Sequence, residues 1–460
     1  MIHRETTICA IATAAGTGAI SIIRISGKDT FAICDKICSK NISAKATHTI
    51  HFCKIYDNEE IIDEVLVSVF KGSKSYTGED SVEISCHGSV FIQQRIMELL
   101  LKHSAKLAEP GEFTLRAFMN GKLDLSQAEA VADLIHSSSK SMHGAAMNQM
   151  RGGFSKEISS LRTQLLNFAS LIELELDFSE EDVEFASRSD FKNNVLNTQR
   201  VIEKLMSSFQ YGNVIKNGVP VAIVGKPNVG KSTLLNVLLN EEKAIVSEIP
   251  GTTRDIIEDT IGIQGISFRF IDTAGIRHTT DVIESLGIER TYDNVRKASI
   301  VLLLVDGAET IESIEDQIKS LHIEKNQQIA LIINKIDKIP VSENILSLKT
   351  KNNNELVQII SISAKKQENI YNLHTFLLQS TNIKSLSDND IVITNIRHFE
   401  ALSNSLEAGK RVLEGIDNKL TTDLLAQSIR EMLFHLGTIT GEITTDEILG
   451  NIFSKFCIGK

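Results

Sequence analysis

The stretch that most constrains this chain is a glycine-containing loop near the middle of its 460 residues, Gly225 to Ser232, which reads Gly-Lys-Pro-Asn-Val-Gly-Lys-Ser. It matches the pattern Gly-x-x-x-x-Gly-Lys-Ser/Thr, whose backbone N–H groups hold phosphate oxygens where a helix begins. The apolar run Val219 to Val224 predicts a buried strand before the loop, and Thr233 to Leu239 predicts the helix after it. We therefore predict a phosphate-binding loop in which Lys231 carries a charge to the outer phosphates and Ser232 offers its hydroxyl to Mg2+.

A box that ends in aspartate decides between ATP and GTP. Residues Asn334 to Asp337 read Asn-Lys-Ile-Asp and follow an apolar run typical of a strand. The Asp337 carboxylate can accept from both the ring N–H and the exocyclic amine of guanine, a donor pair that adenine lacks. The stretch Ser361 to Lys365 is predicted to close over the base, and Asp272 to Gly275 to face Mg2+ and the γ-phosphate. These boxes, in this order, predict GTP binding.

The residue that orients the attacking water in Ras-type GTPases is missing from its usual place. In those enzymes a Gln follows Asp-x-x-Gly, whereas this chain has Ile276 there. Another group must then hold the water, and two segments are available. The first is the loop Ser247 to Asp255, in which Thr253 is the predicted sensor of Mg2+ and the γ-phosphate. The second follows Gly275 and contains Glu284.

Composition and charge exclude several classes of protein. The formal net charge is −11 and the pI is about 5.6, which argues against an extended basic surface for nucleic acid and leaves a local patch or a partner for any RNA contact. The aliphatic runs are too short to span a membrane and no signal peptide is predicted, so we expect a cytoplasmic protein. The six cysteines form no Cys-x-x-Cys pair, and neither a zinc site nor a disulfide framework is predicted.

The hydrophobic patterns predict a multidomain α/β and α protein with four segments. Residues 1–121 are predicted to form an α+β domain. Residues 122–217 and 381–460 both follow a helical period and are predicted to form one discontinuous helical domain. Residues 218–380 are predicted to be a Ras-like P-loop GTPase domain inserted into it, an arrangement that is tolerated because the termini of a domain often lie close together.

Specific elements follow from the same patterns. In the first segment, Ile20 to Ile25 and Val65 to Phe70 are predicted strands, and Ile92 to Leu101 is a predicted helix. In the helical segments, apolar residues recur at spacings of three and four, which places them on one face of a helix. These residues are Leu161, Leu165, Phe168 and Ile172 in the first part, and Leu425, Ile429, Met432 and Leu436 in the second.

Taken together, these motifs resemble the MnmE (TrmE) family of tRNA-modification GTPases, and the resemblance extends over the whole chain. The nucleotide boxes match, including Asn228 inside the phosphate loop, and so do two amino-terminal stretches and the last four residues. The matching stretches are Gly225–Ser232, Gly251–Asp255, Asp272–Arg277, Asn334–Asp337, Tyr76–Asp80, Pro110–Phe118 and Cys457–Lys460.

The resemblance implies a potassium-dependent GTPase whose nucleotide domains pair across a homodimer, with K+ in place of an arginine finger. A cation held by an oxygen-rich loop would stabilise the charge that develops in phosphoryl transfer. Mg2+ would be held by Ser232 and Thr253, and Glu284 would position the attacking water. The implied K+ ligands are Asn228, Ser247, Ile249 and Thr252. The implied GTP contacts are Asn228, Val229, Gly230, Lys231, Ser232, Thr233, Ser247, Ile249, Gly251, Thr252, Thr253, Asp272, Thr273, Ala274, Gly275, Asn334, Lys335, Asp337, Ser363, Ala364 and Lys365.

The resemblance also implies that the first domain is a dimerisation domain similar to the folate-binding modules of aminomethyltransferases. Its ligand would be 5-formyl- or 5,10-methylene-tetrahydrofolate. The implied contacts are Arg24, Glu83 and Lys122, with Lys460 reaching in from the far end of the chain. Basic side chains suit an anionic cofactor and a carboxylate suits the donor edge of the pterin, although each residue taken alone would more often form a surface ion pair.

Cys457 lies fourth from the end, where a prenylation box would place it, but Gly459 and Lys460 do not fit that box. Two readings stay open from the residues alone. The cysteine is either a small apolar side chain in the tail or a thiol made reactive by the neighbouring Lys460. The resemblance implies the second reading, a catalytic role in the modification.

The reaction that the resemblance implies is the addition of a carboxymethylaminomethyl or aminomethyl group to carbon 5 of the wobble uridine of certain tRNAs. Its implied partner is the flavoprotein MnmG (GidA), in a heterotetramer or larger assembly, which would supply the redox chemistry. Two alternatives stay open. A ribosome-assembly GTPase switch would share the nucleotide boxes but gives no reason for a folate-like domain. A folate-dependent aminomethyltransferase with a fused GTPase would turn over without tRNA.

Overall fold

The computed structural model describes residues 6–177, 188–242, 259–271, 292–324, 327–338, 351–352, 355–381 and 391–460. The chain divides into two compact units. The first comprises Met1–His136, Ala146–Met206 and Ile396–Lys460, and the second comprises Ser137–Ala145 and Ser207–Asn395. The predicted four-segment boundaries are finer than this division and stay a prediction.

The first unit begins with a six-stranded sheet in the order β3-β4-β5-β2-β1-β6. All neighbours are antiparallel except β1 and β6, which run parallel. Helices α1 and α2 cover one face through Ile33, Ile37 and Ile96, so the strands alternate buried and exposed side chains. The two predicted strands and the predicted helix are confirmed. The bounds are β1 (Ile8–Ile11), β2 (Ile20–Ser26), α1 (Thr30–Ile37), β3 (Thr49–Asp57), β4 (Glu60–Phe70), β5 (Ser81–His87), α2 (Val90–Lys102) and β6 (Lys106–Leu107).

A run of helices follows the sheet. The start of α4 is fixed by a capping box in which Asp124 accepts from the Gln127 backbone while the Gln127 side chain accepts from the Asp124 backbone. Helix α3 covers the other face of the sheet near β1, where Phe113 packs on Ile8 and Ala10. The helices are α3 (Glu112–Met119), α4 (Leu125–Ile135), α5 (Lys140–Met150), α6 (Gly153–Asp177), α7 (Arg188–Ser207) and α8 (Phe209–Asn217).

The second unit contains a six-stranded sheet in the order β14-β11-β10-β7-β9-β8, parallel except for β8. Its central strands are apolar throughout because both faces are covered: alternate residues of β10 enter two separate cores. The bounds are β7 (Val219–Val224), α9 (Lys231–Glu242), β8 (Asp259–Ile263), β9 (Ile266–Phe270), β10 (Ile300–Asp306), α10 (Ile311–Ser320), β11 (Gln328–Asn334), β12 (Lys351–Asn352), β13 (Glu355–Leu356), β14 (Gln358–Ser361) and α11 (Ile370–Ser380). Strands β12 and β13 form a separate two-stranded sheet.

The chain then returns to the first unit with α12 (Ile396–Asp417), α13 (Thr422–Thr440) and α14 (Asp446–Phe453). Helix α13 packs against both α12 and α6. The apolar faces predicted from the helical spacing are confirmed: Leu161, Leu165, Ile172 and the four residues of α13 are buried, and Phe168 is half-buried. Across the described ranges, none of the helices combines the length and hydropathy needed to cross a membrane.

Candidate functional site

The phosphate loop joins β7 to α9, as its sequence predicts, and two glycines are needed for its shape. A Cβ on Gly225 would lie 2.2 Å from the carbonyl oxygen of Leu304, and one on Gly230 would lie 2.3 Å from Nδ2 of Asn334. Both glycines have positive φ angles, 148° and 104°, which disfavour any other residue. The loop therefore packs directly on the neighbouring strands β10 and β11.

Lys231 is the first residue of α9, and its ammonium group turns back onto the loop. Nζ donates to the carbonyl oxygens of Gly225 at 2.7 Å and Lys226 at 2.8 Å. Burial lowers the pKa of this lysine below its ordinary value because the charged form is partly removed from water. A half-buried cation held by neutral carbonyls is suited to an anionic ligand, which would stabilise its charged form.

Asn334, at the end of β11, ties three loops together. Its side chain is 3% exposed and donates from Nδ2 to the Val229 carbonyl of the phosphate loop at 2.8 Å. Its Oδ1 accepts from the backbone of Lys335 at 2.8 Å and of Ala364 at 3.0 Å. The phosphate loop, the guanine box (Asn334 to Asp337) and the closing loop (Ser361 to Lys365) thus meet at one side chain at the carboxyl edge of the sheet.

Asp337 and Ser363, predicted in two separate boxes, contact each other. Ser363 Oγ donates to Asp337 Oδ1 at 2.7 Å. This hydrogen bond holds the pKa of the Asp337 carboxyl below its ordinary value, so the carboxylate remains an ionised acceptor to a lower pH than an ordinary aspartate does. Val229 and Ala364 are buried, whereas Thr233 and Lys365 are exposed.

Several predicted site residues lie outside the described residues, and their roles stay predictions. They are Ser247, Ile249, Gly251, Thr252, Thr253, Asp272, Thr273, Ala274, Gly275 and Glu284. Two predicted metal ligands are described. Ser232 is half-buried in the first turn of α9, and Asn228 is exposed with a left-handed backbone, φ 65°. Both supply hard oxygen atoms, which suit Mg2+ and K+. The described part of the chain holds no group of three or more His, Cys, Asp or Glu side chains placed to bind a metal.

In the first unit, Arg24 is the centre of a second cluster. Its Nε and Nη2 both lie 2.9 Å from Oε1 of Glu83 on the adjacent strand, and its Nη1 donates to the Gly459 carbonyl at 3.1 Å. The guanidinium carbon lies 5.7 Å from the centre of the Tyr76 ring and 5.6 Å from that of Phe113, within range of a cation–π contact. Arg24, Glu83 and the tail are therefore brought together.

The tail itself docks against β1. A Cβ on Gly459, whose φ is 94°, would lie 2.5 Å from the Ile11 carbonyl, so this position requires glycine. Lys460 is half-buried, and burial followed by the charge of Arg24 lowers its pKa. Cys457 is exposed, and its carbonyl accepts from the Lys460 backbone at 3.4 Å. The described contact of Lys122 is with a different residue: its Nζ donates to the Ser73 carbonyl at 2.7 Å.

Sequence reasoning missed the two rings that flank Arg24. Tyr76 and Phe113 lie inside stretches that carried the resemblance, but nothing in the sequence linked them to Arg24. Tyr76 is further fixed by Thr114, whose Oγ1 lies 2.9 Å from the phenol oxygen, and burial raises the pKa of the phenol. The same stretches interlock through buried Arg116, which pairs with Glu79 and with Glu112.

Family comparisons agree with this architecture. Residues 125–457 match the family described as the MnmE helical domain, and residues 7–122 match the amino-terminal domain of the GTP-binding protein TrmE. The tRNA modification GTPase MnmE of Bacteroides thetaiotaomicron is 54% identical over 99% of this chain and 100% of that protein. The proteins of the same name from Christiangramia forsetii and Flavobacterium johnsoniae are 53% and 51% identical, over 99% and 100% of this chain and 99% and 100% of their own lengths.

Solved structures match smaller parts of the chain. The G domain of the FeoB iron transporter of T. maritima is 24% identical, with a TM-score of 0.27 over 36% of this chain and 99% of its own. The translation elongation factor SelB of Methanococcus maripaludis, in complex with the GTP analogue GppNHp, is 19% identical, with a TM-score of 0.27 over 37% of this chain and 35% of its own.

Proposed function

The chain belongs to the MnmE family of tRNA modification GTPases, and from that membership we propose that it hydrolyses GTP in the course of modifying carbon 5 of the wobble uridine of certain tRNAs. The group added would be carboxymethylaminomethyl or aminomethyl. The observation that supports the nucleotide half of this proposal is the position of Asn334, which joins the phosphate loop, the guanine box and the closing loop at one edge of the sheet.

In this proposal the described loops divide the work of binding GTP. Lys231 would leave its two carbonyl partners for the outer phosphates, and the loop's backbone N–H groups would hold the phosphate oxygens. Asp337, held in place by the Ser363 hydroxyl, would accept from the ring N–H and exocyclic amine of guanine. Adenine offers no such donor pair, so ATP would leave the carboxylate unpaired and be rejected.

Metal ions would complete the nucleotide site. Ser232 and Thr253 would hold Mg2+, and Asn228 with Ser247, Ile249 and Thr252 would hold K+, which would supply positive charge as GTP is cleaved. Glu284 would position the attacking water in place of the missing Gln. Of these residues, Ser232 and Asn228 are described, and their oxygen chemistry and exposure are compatible with such ions.

The cluster around Arg24 would bind the one-carbon carrier, a 5-formyl- or 5,10-methylene-tetrahydrofolate. Support comes from the half-buried cations of Arg24 and Lys460, which suit an anionic cofactor, and from the Glu83 carboxylate beside them. Cys457, exposed in the same tail, would act as the thiol of the modification reaction. Lys122 would also contact the folate, which would require its Nζ to leave the Ser73 carbonyl.

The remaining features of the proposal concern assembly. The chain would form a cytoplasmic homodimer, and this homodimer would associate with the flavoprotein MnmG. MnmG would carry out the redox chemistry and provide most of the contacts to tRNA. The net charge of −11 is compatible with this division, because an acidic protein binds polyanionic RNA poorly by itself.

Deletion of the gene tests the proposal directly. We expect the modified wobble uridine to vanish from nucleoside digests of total tRNA, and the wild-type gene to restore it. Complementation with Cys457→Ser tests the thiol, because a serine cannot supply a thiolate, and restored modification would remove Cys457 from the reaction. Persistence of the modified uridine in the deletion strain would contradict the tRNA function.

A hydrolysis assay in K+ and in Na+ tests the cation. We expect GTP turnover to be faster in K+, and Asn228→Ala to lose this response while retaining slow turnover. Equal rates of the wild-type protein in the two salts would remove K+ from the mechanism without affecting the assignment of GTP.

A further inference from the structure

The turn that follows β10, residues 306–309, carries two carboxylates that the proposed function does not use. Each is paired with a lysine from a different nucleotide loop. Glu309 Oε2 lies 2.8 Å from Lys226 Nζ in the phosphate loop, and Asp306 Oδ2 lies 3.1 Å from Lys335 Nζ in the guanine box. A backbone hydrogen bond from Glu309 to the Asp306 carbonyl, 3.0 Å, closes the turn. The two loops are thus connected through one short segment.

Glu309 is held in place from α10. Ser313 Oγ donates to Glu309 Oε2 at 2.7 Å, and Lys226 Nζ lies 2.9 Å from the same hydroxyl. Gln317 adds a longer contact to the carboxylate at 3.5 Å. Burial alone would raise the pKa of Glu309, but the bonds from Lys226 and Ser313 outweigh it and hold the pKa below its usual value. The Glu309 side chain is 14% exposed, and its carboxylate is a fixed negative charge that holds the phosphate loop through Lys226.

Asp306 is also held in place, next to the guanine box. It is the last residue of β10 and is paired in register with Asn334 on β11. Its Oδ1 accepts from the Ala308 backbone at 2.9 Å, and this bond, followed by Lys335, lowers its pKa. Lys335 has a left-handed backbone, φ 67°, which is unfavourable for a residue with a side chain and persists where its surroundings enforce it. The ion pair to Asp306 is such a restraint.

We propose that the turn 306–309 is a positioning element for nucleotide binding, which fixes the phosphate loop and the guanine box relative to each other through its two ion pairs. In this proposal the turn acts on nucleotide binding through Lys226 and Lys335. This inference rests on the proposed function only in requiring that both loops bind one GTP molecule. Its consequence is that loosening the turn on either side weakens binding of every purine nucleotide without changing the preference for guanine.

Single substitutions test each side of the turn. Glu309→Gln and Asp306→Asn remove one charge each and keep the side-chain size, and Asp316→Asn, exposed on α10, is the matched control. We expect the Kd for GDP and for IDP to rise by about two- to fivefold in both variants, the range for half-exposed ion pairs, and to stay unchanged in the control. Unchanged affinity in both variants, measured by titration of a fluorescent nucleotide, would overturn the proposal.

Two further variants separate positioning from simple loss of structure. The charge reversal Lys226→Glu should weaken GDP binding, and combining it with Glu309→Lys should restore it, while the urea midpoint stays at the wild-type value. The double variant Asp306→Asn/Glu309→Gln should lose less affinity than the product of the two single losses, because both act on one turn. A failed rescue, or losses that multiply, would show that the turn does not couple the loops.

Asp337→Asn distinguishes this inference from the proposed function. That variant should lose the preference for GDP over IDP, because the amide replaces one of the two carboxylate acceptors by a donor and can no longer accept from both the ring N–H and the amine of guanine. If the preference survived in Asp337→Asn, the assignment of the guanine box would be wrong, whereas the rescue by Glu309→Lys would still report on the turn.

Discussion

The two candidate sites are built in different ways. In the nucleotide site, each loop follows the end of a parallel strand, and the Asn334 side chain joins the main chains of two neighbouring loops. In the site around Arg24, side chains meet side chains and the tail, across separations of 59 residues to Glu83 and 435 residues to Gly459. The order of strands in one parallel sheet assembles the first site, whereas the second combines the cross-strand pair of Arg24 and Glu83 with the packing of two rings and the tail.

The difference has a physical consequence. A site that relies on backbone N–H groups tolerates most side-chain changes and fails only where one side chain carries the charge or ties the loops. In a site that relies on paired side chains, each substitution lowers the affinity, because it leaves the other side chain of the pair as a polar group without its partner. Substitutions in both units therefore test whether this comparison holds.

Lys231→Ala should have the largest effect. It removes the cation that is half-buried in the phosphate loop, and loss of one such group in phosphoryl transfer corresponds to about a thousandfold fall in turnover. GTP hydrolysis by the purified protein is the measurement, with exposed Lys297→Ala as the matched control. Turnover within tenfold of wild type would mean that the main chain alone carries phosphate binding.

Glu129→Gln tests side-chain assembly in the first unit. Glu129 is buried and pairs with Arg397 through Nε at 2.9 Å and Nη2 at 2.8 Å, and with His398 at 2.6 Å. Burial would raise its pKa, but His398 and then Arg397 outweigh this and bring the pKa to about 2. The shift corresponds to about 3 kcal/mol of folding free energy at neutral pH, which we expect Glu129→Gln to lose in urea unfolding.

The pH dependence of that effect has a fixed sign. Because the folded-state pKa is lowered, the stabilisation is fully present above the unfolded pKa of about 4.5 and is lost as the pH falls towards about 2. The difference between wild type and Glu129→Gln should therefore shrink below pH 4.5. Glu407→Gln, in an exposed pair with Lys410, should change stability by less than about 0.5 kcal/mol. A difference between wild type and Glu129→Gln that is constant from pH 7 to pH 3 would assign the loss to packing alone.

Arg24→Ala should give an intermediate effect, seen in two measurements. Affinity for tetrahydrofolate should fall about tenfold, because a charge-assisted contact is lost. Carboxypeptidase should also release Lys460 faster, since the Gly459 carbonyl loses its donor. Arg95→Ala, which removes a pair with Asp57 elsewhere in the same sheet, is the control. Weaker folate binding with an unchanged rate of Lys460 release would show that the tail docks independently of Arg24.

What could be predicted from the sequence follows the same division. The strand, loop and helix around Gly225 to Ser232 are local in sequence, and their periods and glycines specify them, so they were confirmed element by element. The neighbours of Arg24 could not be predicted in this way, since no pattern relates position 24 to Tyr76, Phe113 or the tail. Only the resemblance to a family indicated Arg24 and Glu83, and it did not indicate the rings.

The turn 306–309 lies between these cases. Asp306 ends an apolar strand that the sequence shows clearly, and in a parallel sheet this position must lie at the edge where the loops meet. The sequence therefore indicates the position of Asp306 at this edge of the sheet. Its pairing with Lys335 was not predictable, because no sequence pattern indicates the left-handed backbone of Lys335 that accompanies the contact.

Ser363→Ala should have the smallest effect and sharpens the comparison most, because it removes a contact between two loops that were each predicted separately. The Ser363 hydroxyl holds the pKa of Asp337 below its ordinary value, so its loss lets that pKa rise. We expect affinity for GDP to fall by about two- to fivefold at neutral pH, the equivalent of one hydrogen bond. In both proteins binding should weaken as the pH falls and Asp337 is protonated, but in Ser363→Ala the loss should begin at a higher pH. If binding weakened over the same pH range in both proteins, the Ser363 hydroxyl would not set the pKa of Asp337. The main chain of the closing loop, and not this side-chain pair, would then hold Asp337 in position for guanine.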